Sequence, residues 1–190
     1  MDLSAAIQLA AAIGALICLG AAALQDGLRY RISNPIVLAL VVCFAVFAAA
    51  KGSLPFIAWS LGAGATAMII AAILFALGVF GGGDAKLIGA MGLWTQFAAL
   101  PRFLVVMTAC GGILGLVWLV RRRLARKASV AAIAPNIDSG ETAPAPVSPA
   151  PVPQASARFS RLPYGIAIAA AGVDYFLFTP LSPIAGYLPF

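Results

Sequence analysis

Apolar residues in this chain run in long stretches, separated by short clusters of polar and turn-forming residues. Between Leu3 and Leu24 the polar side chains are only Ser4 and Gln8. Runs of about 17–25 apolar residues are the length of a membrane-crossing helix. Six segments qualify: 3–24, 35–50, 54–80, 86–100, 103–120 and 162–178. The second and fourth are short, and the third is long enough to tilt or to extend past the lipid. A transmembrane β-barrel would instead show alternating segments of about ten residues. The pattern predicts an all-α membrane protein, a polytopic bundle of about six transmembrane helices.

Composition supports that picture. Of 190 residues, 63% are hydrophobic and 9% charged, against about 25% charged in soluble domains. The net charge of +6 raises the question of nucleic acid. Much of it comes from Arg121, Arg122, Arg123, Arg126 and Lys127, directly after an apolar run. Such a cluster reads as a membrane-flanking anchor, so no nucleic-acid partner is expected. Cys18, Cys43 and Cys110 all lie inside apolar runs and form no C-x-x-C pair, so they read as small buried side chains. Histidine is absent. His-based triads are thereby excluded, and neither a metal site nor a cofactor is expected. The run from Leu3 ends near Ala21-Ala22-Ala23, which fits a signal-peptide cleavage rule. No Lys or Arg precedes it and it exceeds the usual h-region, so a retained first helix is expected.

Basic residues between the runs assign sidedness. With the first helix running from outside to inside, the inner face carries Arg29, Arg31, Lys86, Arg121, Arg122, Arg123, Arg126, Lys127, Arg158 and Arg161. Lys51 and Arg102 fall outside. Ten against two is a positive-inside bias that puts both termini outside. Residues 1–127 then hold helices 1–5, and 158–190 the last helix and a short outer tail. Residues 128–157, rich in Pro, Ala and Ser, read as a disordered cytoplasmic loop with no chemistry assigned.

Two acids, Asp26 and Asp84, land on the same inner face, although neither was used to set the topology. Carboxylates near membrane depth are functional candidates by default. Asp84 follows Gly81, Gly82 and Gly83 and precedes Lys86. The glycines would let a substrate backbone approach closely and the loop take positive φ. A pair of carboxylates can hydrolyse a peptide bond without a metal, serine or cysteine. One, ionised, takes a proton from the attacking water, while the other, protonated, hydrogen-bonds the carbonyl oxygen.

Three segments carry a family resemblance. Gly81-Gly82-Gly83-Asp84-Ala85-Lys86 through Trp94 resembles the GxGD segment of the type IV prepilin peptidases, which are membrane aspartic proteases. Asp26-Gly-Leu-Arg-Tyr-Arg-Ile-Ser-Asn-Pro35 is similar to the first-aspartate segment of their short Flp/Tad-type members. Leu162-Pro163-Tyr164-Gly165 resembles the Pro-[Tyr/Phe]-Gly start of the family's last helix. The resemblance implies that Asp26 and Asp84 are catalytic, with Gly81, Gly82, Gly83 and Lys86 as the supporting loop. It also implies a prepilin or pseudopilin substrate whose basic leader is cut at the cytoplasmic face of a bacterial inner membrane. Longer members carry an additional N-terminal segment, often with paired C-x-x-C motifs, and also N-methylate the cleaved pilin. That segment is not seen here, which puts methyltransferase activity in doubt.

Blander readings stand beside these. Asp26 could cap helix 2 or balance Arg29, and Asp84 could be an N-cap for helix 4. Lys86 reads as snorkelling to the interface, with a role beside Asp84 second. Arg29 and Arg31 read as topology determinants. Asn34 reads as a cap for helix 2 before Pro35, with orientation of Asp26 the alternative. Asp174 lies about 18 Å along the last helix, too deep to join the pair; a polar partner in the bundle or an outer-interface position is open for it. Gly111-x-x-x-Gly115 and Ser60-x-x-x-Gly64 read as packing motifs, and Trp59, Trp94 and Trp118 as interfacial or core aromatics. The competing function is a small ion- or proton-coupled transporter using the same aspartates, which would expect them near the midplane on broken helices.

Overall fold

A computed structural model of the chain describes residues 2–78, 81–133, 163–179 and 183. Among these residues the structure is all-helical, with no strand. Five helices follow in order: α1 (Leu3–Arg29), α2 (Asn34–Lys51), α3 (Leu54–Ala76), α4 (Gly82–Ile133) and α5 (Tyr164–Phe178). The first four are long and apolar enough to cross a membrane, while α5 is a shorter apolar helix of 15 residues.

The chain divides into two units, Met1–Gly111 with Pro163–Phe190, and Gly112–Leu162. In the second, the described residues are the remainder of α4, where the Arg122 guanidinium lies 5.0 Å from the centre of the Trp118 ring. The helix includes residues 128–133, which the sequence reading assigned to the Pro-rich loop. The rest of that loop lies outside the described residues.

The first unit is organised around α1, which packs against α2 and α5. The buried positions of α1 are Ala11, Ala12, Ala15, Leu19, Ala22 and Asp26, which from Ala12 onward recur three or four residues apart as one helix face requires. Alanines on that stripe allow close helix approach. Asp26 is therefore the last member of the packing face. The outward positions of these helices are apolar too: Ile17, Leu38, Ile69 and Ile73 are exposed. A helix apolar on every side is suited to lipid.

Small residues set the approach of α3 to α4. A Cβ on Gly92 would sit 3.0 Å from the Gly64 Cα and 3.1 Å from the Ala63 carbonyl oxygen, both backbone atoms that cannot step aside. Ser60 and Gly64, singled out in the sequence, are buried on this contact, and Gly64 faces Leu93. Above it Trp94 is the hub of an aromatic cluster, with ring centres 5.6 Å from Phe44, 5.4 Å from Phe47 and 5.1 Å from Phe176. Trp94 is thus a core residue, whereas Trp59 is exposed and meets the edge of Phe97.

Of the six expected spans, 86–100 and 103–120 both fall within α4, in which two helical stretches meet at non-helical backbone at Gln96 (φ 51°, ψ −174°), with Pro101 inside the second. A break inside an apolar bundle must re-satisfy the backbone groups it frees. Here the Tyr175 hydroxyl donates to the Trp94 carbonyl at 2.7 Å, and beside it the Gln96 side-chain amide donates to the Ser60 hydroxyl at 3.2 Å. Tyr175→Phe removes the carbonyl's donor in a buried place, so it should lower stability by about 1–3 kcal/mol. Thermal unfolding in detergent would measure this, and an unchanged midpoint would contradict the assigned role.

Candidate active site

Asp26 and Asp84 come from opposite kinds of helix end. Asp26 sits in the last turn of α1, where the carbonyl-rich terminus disfavours negative charge. What offsets this is the start of α5, whose Gly165 N–H donates to Asp26 Oδ2 at 2.7 Å. The first turn of a helix carries free N–H groups and the positive end of its dipole, which suits a carboxylate. Asp84 occupies the first turn of α4. Its Oδ2 accepts the Gly81 N–H at 3.2 Å, while the Ala85 N–H bonds the Gly81 carbonyl at 3.1 Å. Asp84 is therefore at the third helical position and bonds back to the cap residue, as the acid of a capping box does. The cap position itself belongs to Gly81.

The two carboxylates share one neighbourhood. Both are buried, with Asp26 5% and Asp84 9% exposed, and the charge of Asp26 bears directly on Asp84. Among the described residues neither is ion-paired to a cation. Among those residues, too, no group of three or more His, Cys, Asp or Glu converges as a metal site would need.

The α1–α2 turn frames this pair. Tyr30 ends α1 in the left-handed region (φ 52°), and its N–H bonds the Asp26 carbonyl at 2.8 Å. The Gln25 side chain accepts the Ser33 N–H at 2.6 Å, tying both ends of the turn together. Gly83 lies flat on this turn, since a Cβ there would be 3.1 Å from the Ile32 Cβ. The Lys86 ammonium donates to Asn34 Oδ1 at 3.0 Å. The glycine-rich segment and the first-aspartate segment are thus clamped together at two points.

Several expectations are corrected by this geometry. Among the described residues the positive-φ glycines are Gly52 and Gly78, so Gly81, Gly82 and Gly83 do not serve that purpose. Gly83 is needed for proximity to Ile32, and Gly82 faces Phe75. Asn34 does not cap α2; Ser33 holds the cap position, and Asn34, the first helical residue, partners Lys86. Lys86 is exposed, and its ammonium bonds Asn34 rather than Asp84. Asp26 is not a cap for α2 either, being buried on α1. Asp174 lies apart from the pair and accepts a two-pronged bond from Arg102, at 3.1 Å from Nε and 3.2 Å from Nη2.

Two contributors went unassigned in the sequence. Gly165 was noted in a motif without a role, because a backbone N–H leaves no mark in a side-chain pattern. Gln25 had no signal beyond adjacency to Asp26.

The family model for type IV leader peptidases matches residues 12–116, a stretch that contains both aspartates and the turn between α1 and α2. The chain belongs to the type IV leader peptidase family. It is accordingly a leader-peptidase-like protease of the aspartic type and a multi-pass membrane protein. The match ends before α5, so the part of the site made by Gly165 lies outside it. Neither the curated proteins nor the solved structures contain a match to this leader peptidase family member.

Proposed function

We propose that the chain is a prepilin peptidase in which Asp26 and Asp84 act together on water. The observation that carries this reading is the convergence of two buried carboxylates, from segments far apart in sequence, with no cation among the described residues paired to either. Like charges held close share one proton. In the cleavage step the ionised partner removes a proton from water as its oxygen attacks the scissile carbonyl carbon. The protonated partner donates to the carbonyl oxygen. Collapse of the tetrahedral intermediate then breaks the C–N bond, and the departing amine takes up the proton first drawn from water.

The substrate of this reading is a type IV, Flp-like prepilin or pseudopilin whose basic leader stays in the cytoplasm. The positive-inside bias supports an aspartate pair on the cytoplasmic face of a bacterial inner membrane and both termini outside. The transporter alternative would use a broken helix with carboxylates at the break. The break at Gln96 borders a cavity of about 280 Å³ with Gln8, Lys51, Thr95 and Tyr175 in its wall, and among the described residues no carboxylate lines it.

The test is purified protein in lipid vesicles with a Flp-type prepilin, following leader loss by gel shift and the new N-terminus by mass spectrometry. One cut after the basic leader is the expected result. A panel of Flp-type and other prepilins left intact by folded protein would overturn the assignment.

A further inference from the structure

The cavity of about 280 Å³ beside the α4 break lies at the end of the first unit away from the aspartates. Gln8 in its wall is about 27 Å along α1 from Asp26, at 1.5 Å per residue. Lys51 is the last residue of α2 and Phe56 stands in the first turn of α3, so the cavity sits at the level where these spans end. Membrane spans end at the headgroup layer. The backbone here is unusual as well. Gln96, also in the wall, has φ 51° and ψ −174°, a region that residues with side chains rarely enter. Such conformations persist where the surroundings over-determine them, and they gather at ligand sites and active sites.

Among the described residues Lys51 is the one cation in this wall, and it has no ion-pair partner. Its ammonium is held over aromatic rings, 4.0 Å from the centre of Phe56 and 5.8 Å from that of Phe47. The uncharged polar groups spend donors on the protein itself. The Gln8 amide donates to the Ala50 carbonyl at 3.4 Å, the Thr95 hydroxyl to the Met91 carbonyl at 3.1 Å, and the Gln96 amide to the Ser60 hydroxyl at 3.2 Å. Their oxygens keep acceptor capacity. The cavity thus offers one positive charge on an exposed residue and acceptors on half-buried and buried ones. We infer that it binds an anionic phosphodiester with a hydroxylated tip, the phosphoglycerol headgroup of a membrane lipid. The phosphate would take a charge-assisted bond from Lys51, and the glycerol hydroxyls would donate to the oxygens of Gln8, Thr95 and Gln96. An ammonium-tipped headgroup would instead place a second cation beside Lys51 with no carboxylate in the described wall to balance it. The volume falls just under the range of about 300–1,000 Å³ usual for ligand pockets, which suits a headgroup with its acyl chains outside. No residue of this wall touches the aspartates, so the site stands whether or not the protein cleaves a prepilin.

Thermal unfolding of the full chain in neutral detergent provides the test. Dioleoyl phosphatidylglycerol should raise the wild-type midpoint by about 5 °C or more, the shift that a ligand at about 100 times its Kd gives a chain of this length. Dioleoyl phosphatidylethanolamine should raise it less. Lys51→Gln should lose most of the shift and Gln8→Leu part of it. Arg121→Gln, in the basic cluster late in α4, should keep it whole and so exclude a general response to anionic lipid. Native mass spectrometry should find one more phosphatidylglycerol retained by wild type than by Lys51→Gln. Free glycerol phosphate that reproduces the shift would make a soluble phosphate ester the occupant of the same site, and no response to it would assign the lipid. Equal shifts from the two lipids, or a full shift in Lys51→Gln, would overturn the site. Gln8→Leu decides in the same way if the change at Lys51 prevents folding.

Discussion

Asp26→Asn and Asp84→Asn should each reduce prepilin cleavage by about 10⁴-fold or more, the scale of losing one member of a unit that works together. The double variant should be scarcely worse than either single one, because the second substitution removes a group already idle. Folding should survive. In Asp26→Asn the amide oxygen can still accept the Gly165 N–H now bound by Asp26 Oδ2. In Asp84→Asn it can accept the Gly81 N–H. Each change also relieves the conflict between two carboxyl groups buried close together, which otherwise have to share one proton. Thermal midpoints in detergent should accordingly be equal to wild type or higher, in keeping with the stability that active sites give up for function. Full cleavage by either variant would end the two-aspartate mechanism. Loss of activity together with loss of fold would show that the carboxylates are structural.

Gly165→Ala should lower kcat by about 10²-fold with KM little changed, since misplacing a reacting group by about 1 Å has that order of effect. A Cβ at this position would lie 2.8 Å from Asp26 Oδ2 and 2.9 Å from Asp26 Cβ and Cγ. The Asp26 Cβ is anchored on α1 and cannot swing away as the tip of a long side chain can. Either α5 retreats or the carboxylate turns, and both break the 2.7 Å bond that holds it. Gly172→Ala is the comparison that separates positioning from packing. It lies further along α5, and its added Cβ would meet the Leu19 Cδ1 at 2.7 Å, a flexible methyl rather than the site. Both variants should lose some thermal stability, but only the change at Gly165 should reduce kcat. Equal turnover in the two would reduce Gly165 to a packing residue.

Much of the fold was legible from long apolar runs, because a bilayer demands helices of a certain length and leaves little other choice. The start of α5 and the separators around residues 26–35 and 81–84 were likewise visible in Pro, Gly and charged residues. The broken helix was less so. Pro101 suggests an interruption, yet the backbone departs from helix at Gln96, where the Tyr175 hydroxyl donates to the Trp94 carbonyl and Ser60 accepts from the Gln96 side-chain amide. Those partners come from α5 and α3, and local sequence holds no trace of them. Asp174 resisted interpretation for the same reason, its partner Arg102 being 72 positions away.

By itself the sequence determined a helical membrane protein, the two acids worth following and the family to which they point. Hydrophobic length and a scarcity of charge are properties of the chain, so composition and spacing suffice for them. Only the tertiary structure decided what each acid touches. Asp26 ends the packing stripe of α1 and is held by an N–H from a helix 139 residues further on. Asp84 closes its own first turn, and Gly83 with Lys86 clamps that turn against Ile32 and Asn34. These are backbone donors and close approaches between distant segments. Their geometry depends on how the helices pack, which no local pattern encodes.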